Sequence, residues 1–215
     1  MSVLSQGLQR YWKPEALAAL ASVKVGIAGA GGLGSNVAML LVRSGVRRLL
    51  VVDHDRVEPS NLNRQCYWPE DVGKPKVEAL RDRLLALEPE LLLNVSREQI
   101  TAATAWTLFR DCAIVVEALD EAGIKAALCS ALLAEGTYVV AASGIGGCGM
   151  APMQVRRVGG SFVCVGDFVS AVNEDTPPLA PRVMQAAALQ ADAVLAKILD
   201  WRGSAPPPRK GTESP

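Results

Sequence analysis

The chain has 215 residues, 22 basic and 22 acidic, a formal net charge of zero, and a hydrophobic share of 50%. Half-hydrophobic composition excludes a disordered chain, and a balanced charge argues against nucleic acid as the main ligand. No apolar run reaches about 18 residues, so no transmembrane helix and no membrane partner are expected.

The length suits a single domain with a real core, expected over residues 1–202. Residues 1–13 are polar and lack a signal-peptide core, which points to a cytoplasmic protein. Pro14 opens a short helix reaching residue 21, because proline fits the first helical turn. A Val- and Ile-bearing strand over residues 23–29 follows. It runs into Gly29-Ala30-Gly31-Gly32-Leu33-Gly34-Ser35 and then a helix over residues 32–44, stopped by Gly45. A strand over 48–53 ends on Asp53, nineteen residues after Gly34.

A polar loop without a clear period occupies residues 54–73. Helix is expected from Pro75 to about residue 87, strand over 91–96, and a short helix over 101–110. Strand 113–117, helix 121–134 and strand 137–142 complete the alternation. It predicts an α/β fold, a doubly wound, Rossmann-like and mostly parallel sheet with helices on both faces. Then the pattern changes. Ser143-Gly144-Ile145-Gly146-Gly147-Cys148-Gly149 is a glycine-rich turn. Residues 153–158 and 161–165 form a hairpin around Gly159-Gly160, and a long apolar helix covers 181–201. The proline-rich tail, 203–215, is expected to be disordered.

The five cysteines, Cys66, Cys112, Cys129, Cys148 and Cys164, are scattered and never spaced Cys-x-x-Cys; His54 is the one histidine. Structural zinc takes four Cys or His ligands at short spacings, so no zinc is expected. Cys164 alternates like a strand residue and reads as core. Cys148, in the glycine-rich turn, is the better candidate for a reactive thiol. His54 is read as packing its loop.

Strand, glycine turn, helix, second strand and acid form a nucleotide-binding unit. The glycines allow a tight turn, a backbone close to phosphate and close helix–strand packing, while the helix N-terminus offers free N–H groups to the phosphate. The usual reading is NAD, with Asp53 accepting from ribose hydroxyls. The next loop shifts the balance. Arg64 in Asn61-Leu62-Asn63-Arg64-Gln65, then Lys76 in Gly73-Lys74-Pro75-Lys76, and Asp120 past the fourth strand all point to one crevice. An acid pair with an arginine and a lysine suits a magnesium-bound triphosphate better than a nicotinamide. A NAD-dependent oxidoreductase would leave Arg64, Lys76 and Asp120 idle. A non-catalytic partner-binding module stays open.

Taken together, the motifs from Gly29 to Asn36, Asp53 to Gln65, Gly73 to Lys76 and Ala118-Leu119-Asp120 resemble the ThiF/MoeB/HesA family, bacterial relatives of the ubiquitin-activating enzymes. The resemblance covers roughly residues 14–145 and is nearest to the compact, zinc-less ThiF variant of thiamine biosynthesis. It implies ATP-dependent adenylation of the C-terminal glycine of a ubiquitin-fold sulfur-carrier protein ending in Gly-Gly. A separate protein donates the sulfur; a molybdopterin-type carrier is the alternative. By motif match, Gly29, Gly31, Gly32, Gly34, Ser35, Asp53, Asp55, Asn61, Arg64, Gln65 and Lys76 bind nucleotide. Asp120 ligates magnesium, and Arg64, Lys76 and Asp120 serve catalysis. The family forms homodimers, and Arg10 loosely matches an N-terminal arginine lent to the partner's site.

Overall fold

A computed structural model describes residues 1–200. The end of the last expected helix at Trp201 and the expected disordered tail lie outside the described residues. Seven strands form one sheet: β1 Lys24–Ala28, β2 Arg48–Val52, β3 Leu92–Ser96, β4 Ile114–Glu117, β5 Tyr138–Ala142, β6 Gln154–Val158 and β7 Phe162–Gly166. Their order is β3-β2-β1-β4-β5-β7-β6. Every pairing is parallel except β6 with β7, so the hairpin expected near the C-terminus extends the main sheet at its edge.

Among the described residues seven α-helices accompany it: α1 Val3–Leu8, α2 Pro14–Ser22, α3 Gly32–Ser44, α4 Lys76–Leu87, α5 Ala105–Phe109, α6 Ala122–Ala134 and α7 Ala180–Ile198. Both faces of the sheet are covered. On one face Leu20, Val37, Leu41, Leu80, Leu84, Ala187 and Val194 join Val25, Ile27 and Val116 in the larger core. On the other, Phe109, Leu128 and Leu132 pack over Val115 and Val139. Strands buried on both faces explain why β1, β4 and β5 read as nearly continuous apolar runs. None of the described helices is long and apolar enough to cross a membrane.

The expected helix at 101–110 is shorter, and the aperiodic loop carries two 3-10 turns, Pro59–Asn61 and Pro69–Asp71. Helix α1 was not expected, because its support is distant in sequence. Ser2 caps it, accepting from the Ser5 N–H at 3.0 Å, and the Ser2 hydroxyl donates to the buried Glu88 carboxylate at 2.5 Å. Arg47 holds the same carboxylate at 2.8 Å. A fully buried acid persists only with such partners.

Helix α3 starts where β1 ends, and the turn between them is very tight. Gly29 has φ +98°, and a Cβ there would meet the Ala118 carbonyl oxygen at 2.6 Å. A Cβ on Gly34 would lie 1.8 Å from the Gly29 carbonyl oxygen. Gly45 closes α3 in the left-handed region at φ +110°, with its N–H on the Val42 carbonyl. Replacing Gly34 by alanine therefore forces the turn away from the helix. The expected loss is about 1–3 kcal/mol, the cost of overpacking a tight contact. Circular-dichroism melts should show Gly34→Ala several degrees below wild type; an unchanged melt would contradict the close approach.

Candidate nucleotide-binding site

Strand β1 sits between β2 and β4, so the chain moves outward one way after β1 and the other way after β4. Loops leaving the carboxyl ends of β1 and β4 diverge there and leave a crevice. A cleft of about 820 Å³ occupies this place. Gly29, Gly31, Gly32, Asp53, Asp55, Asn61, Arg64, Gln65, Lys76 and Asp120 line it together. Gly34 and Ser35 do not; they sit behind the turn. Gly34 makes the close helix–strand approach, and Ser35, fully buried, donates to the Gly31 carbonyl at 2.7 Å and accepts from the Cys66 N–H at 3.0 Å.

Helix α3 has Gly31 at its N-cap and no side-chain cap, so its amino end is left to the cleft. Asp53 fastens the turn: Ala30 N–H donates to one carboxylate oxygen at 2.6 Å and Asp55 N–H to the other at 2.8 Å. Each oxygen retains capacity for another donor. Lys76 is 7% exposed and its ammonium meets Asp55 at 2.7 Å. Arg64 donates to the Ser60 carbonyl at 3.0 Å and to Asn63 Oδ1 at 2.7 Å; partial burial lowers its guanidinium pKa. Gln65 is nine-tenths buried and its Oε1 has no hydrogen-bond partner among the described residues. The cleft thus gathers Arg64, Lys76 and a free helix end in one place with carboxylates at Asp53, Asp55 and Asp120. That arrangement suits a polyphosphate carrying a ribose.

Asp120 is exposed at the carboxyl end of β4, where the sequence placed it. Arg10 is exposed and does not line the cleft of its own chain. Cys148 is exposed and also lies outside the cleft lining; Cys164 is half-buried, and burial raises its thiol pKa. Among the described residues, one group has closely set metal-ligating atoms, Asp53, His54 and Asp55. Its two aspartates already serve the turn and Lys76.

Several functional side chains were not legible beforehand. Tyr67, buried, shares its hydroxyl proton between the Ala30 carbonyl at 2.7 Å and the Lys76 carbonyl at 3.2 Å, locking the glycine turn to α4; burial pushes its pKa up. Glu117 and Lys125 pair beneath the β4–α6 turn. Asp167 and Arg182 pair at 2.6 Å beside the wall formed by Ser143, Gly144 and Ile145. Asp167 accepts from Val169 N–H, Ser170 N–H and Ser170 Oγ, and Arg182 also donates to the Ala151 carbonyl. A Cβ on Gly144 would strike the Asp167 carboxylate, so wall and pair fit only together.

The model of the ThiF family matches residues 4–211. A sulfur carrier protein adenylyltransferase of Thermus thermophilus is 43% identical over 108 residues, 50% of this chain and 40% of that protein. A tRNA threonylcarbamoyladenosine dehydratase of Haemophilus influenzae is 31% identical over 143 residues, 66% of this chain and 55% of that protein. The chain therefore spans about half the length of these curated relatives. In fold, it superposes on the Escherichia coli tRNA N6-threonylcarbamoyladenosine dehydratase solved with AMP, at a TM-score of 0.82 and 22% identity, covering 91% of this chain and 94% of the other.

Acid should loosen the cleft wall. Burial alone would raise the Asp167 carboxyl, but hydrogen bonds from the Ser170 hydroxyl and the Ser170 and Val169 N–H groups, with Arg182 beside it, outweigh burial and hold it at about 2. A depressed folded-state pKa means stability that is full above the unfolded value, about 3.9, and lost as pH falls toward 2. Asp167→Asn should be less stable than wild type at pH 7, and the gap should narrow between about pH 4 and pH 2. Urea titrations at several pH values measure it; a gap constant with pH would remove the carboxylate from the wall's stability.

Proposed function

The chain belongs to the ThiF family, and on that premise we propose that it activates a carboxylate by ATP-dependent adenylation. The substrate we infer is the C-terminal glycine of a ubiquitin-fold sulfur-carrier protein, of the kind that serves thiamine thiazole synthesis. One observation carries the reading: Arg64, Lys76, Asp53 and Asp120 share a single cleft with the uncapped end of α3. The similarity to a protein named sulfur carrier protein adenylyltransferase supports the substrate class.

The carrier's terminal carboxylate is ionised near neutral pH and needs no general base. It attacks the α-phosphorus of ATP; the new C–O–P link forms as the α–β bridging bond breaks, and pyrophosphate leaves. Arg64 and Lys76 neutralise phosphoryl oxygens in place, and the amino end of α3 adds N–H donors. Lys76 must exchange its contact with Asp55 for one with phosphate. The donor set fits magnesium, a hard cation that takes carboxylate and phosphate oxygens, with Asp120 as the protein ligand. Bound there, it would screen triphosphate charge. The glycine turn at 143–149, side-chain-poor and beside the cleft, gives an extended Gly-Gly tail room to approach. Activation occurs in cytoplasm, the sulfur then comes from a separate donor protein, and zinc has no part.

Relatives named as tRNA threonylcarbamoyladenosine dehydratases favour a second reading, in which the activated carboxylate is carried by a modified tRNA nucleoside. Pyrophosphate exchange separates them. Exchange dependent on a Gly-Gly-ended carrier supports the first, exchange dependent on tRNA the second. Tight NAD binding with neither exchange would return the protein to the oxidoreductases.

Asp120→Ala should lower the exchange rate about a hundredfold, near 3 kcal/mol of lost electrostatic support, and leave the thermal melt intact. Full activity in the variant would take Asp120 out of the mechanism, and a collapsed melt would make it structural. The reading also includes a homodimer in which Arg10 reaches the partner's cleft. Light scattering at micromolar concentration should give about twice the chain mass of 22.7 kDa; a monomer would leave Arg10 no site to serve.

A further inference from the structure

We propose that Glu117 and Lys125 are positioning residues, an ion pair between a buried acid and a half-buried lysine that sets the β4–α6 turn and thereby aims Asp120 into the cleft. The proposal rests on the reading of Asp120 as the magnesium-holding carboxylate. Glu117 ends β4, and its side chain is fully buried. It lies on the face where Leu128, Leu132 and Val139 pack, a place where the apolar run Ile114-Val115-Val116 calls for another apolar residue. A charge there is costly, and a well-packed hydrophobe commonly does as well for stability.

The contacts of the pair account for the choice. Lys125 Nζ stands 2.9 Å from Glu117 Oε1 and 2.8 Å from Oε2. The same ammonium donates to the Leu119 carbonyl at 2.9 Å, and the Leu119 N–H donates to Glu117 Oε1 at 2.7 Å. Both backbone groups of Leu119 are therefore held, and Asp120 is the next residue. Just beyond it, the Lys125 N–H closes the first turn of α6 on the Glu121 carbonyl at 2.9 Å. From the other face, Gln190 of α7 donates to the Glu117 carbonyl at 2.9 Å and to the Val140 carbonyl at 3.3 Å. The polar contacts of the pair go to the turn and the strand ends, and Lys125 itself lines the cleft. A turn fixed at its entry, middle and exit holds a carboxylate where a metal needs it without reorganisation on binding.

The test uses ATP and magnesium alone, by calorimetry, on the full chain. The double variant Glu117→Gln/Lys125→Met removes both charges together and leaves no unpaired one. It should melt within a few degrees of wild type, yet lose at least about tenfold of the magnesium-dependent gain in ATP affinity, since small misplacements of a positioned group are costly. Lys125→Arg, which keeps the charge and donors, should recover much of that gain. A double variant with wild-type magnesium dependence would reduce the pair to a structural role and overturn the proposal. Asp120→Ala is measured in parallel. If it loses the gain while the double variant keeps it, the proposal alone fails. If Asp120→Ala itself keeps the gain, the magnesium reading fails and takes the proposal with it. Should the double variant not melt cooperatively, Glu117→Gln alone, whose amide oxygen still accepts from Leu119, replaces it under the same criteria.

Discussion

The close passage of the Gly34 α-carbon against the Gly29 carbonyl governs the rest of the site. A side chain at Gly34 would lie 1.8 Å from that oxygen, so only glycine lets α3 start directly on the end of β1. That start leaves the helix N-terminus uncapped by any side chain and opens it to the cleft. The turn cannot hold this shape alone. The Asp53 carboxylate ties it to β2 through the Ala30 N–H, and Tyr67 ties it to α4 through the Ala30 carbonyl. The residue expected to meet a ribose is thus also a fastener of the turn beneath it.

A shared device shapes three of the loops around the cleft. Asp53 follows β2, Glu117 ends β4 and Asp167 follows β7, and each carboxylate accepts the N–H of the residue two positions on: Asp55, Leu119 and Val169. Such local side-chain-to-backbone bonds turn the chain sharply as it leaves a strand. Glu117 and Asp167 are then each closed by a cation from a later helix, Lys125 of α6 and Arg182 of α7. Among the described residues, Asp53 has no cation of its own. The cations near it, Arg64 and Lys76, are held by Ser60, Asn63 and Asp55, contacts that a phosphate would replace. The two paired acids hold loops that build the cleft, while Asp53 lines it.

Much of the site was legible because its chemistry is local in sequence. Gly29 to Gly34, Asp53, the Asn61-to-Gln65 block, Lys76 and Asp120 each stand at a strand end or a helix start, where periodicity breaks and short spacings carry meaning. The structure brings them together because a doubly wound sheet gathers the carboxyl ends of its strands. Tyr67, Lys125 and Arg182 were not legible in the same way. Each reads alone as a core aromatic or a surface charge, and its role depends on a partner in another element. Glu117 left one faint signal, an acid closing an apolar strand eight residues ahead of a lysine.

By itself the sequence determined the alternation of strands and helices, the parallel sheet, the glycine turn and the identity of most of the charged groups that line the cleft. Those features follow from hydrophobic period and from residues with one dominant backbone or chemical use. Only the tertiary structure decided that Gly34 and Ser35 stand behind the turn, that the hairpin joins the main sheet through β5, and that helix α1 forms at all. It also decided which acids are paired in the interior. Such pairs join residues as far apart as Ser2 and Glu88, and no local pattern encodes them, because burial and partner come from the packing of distant segments.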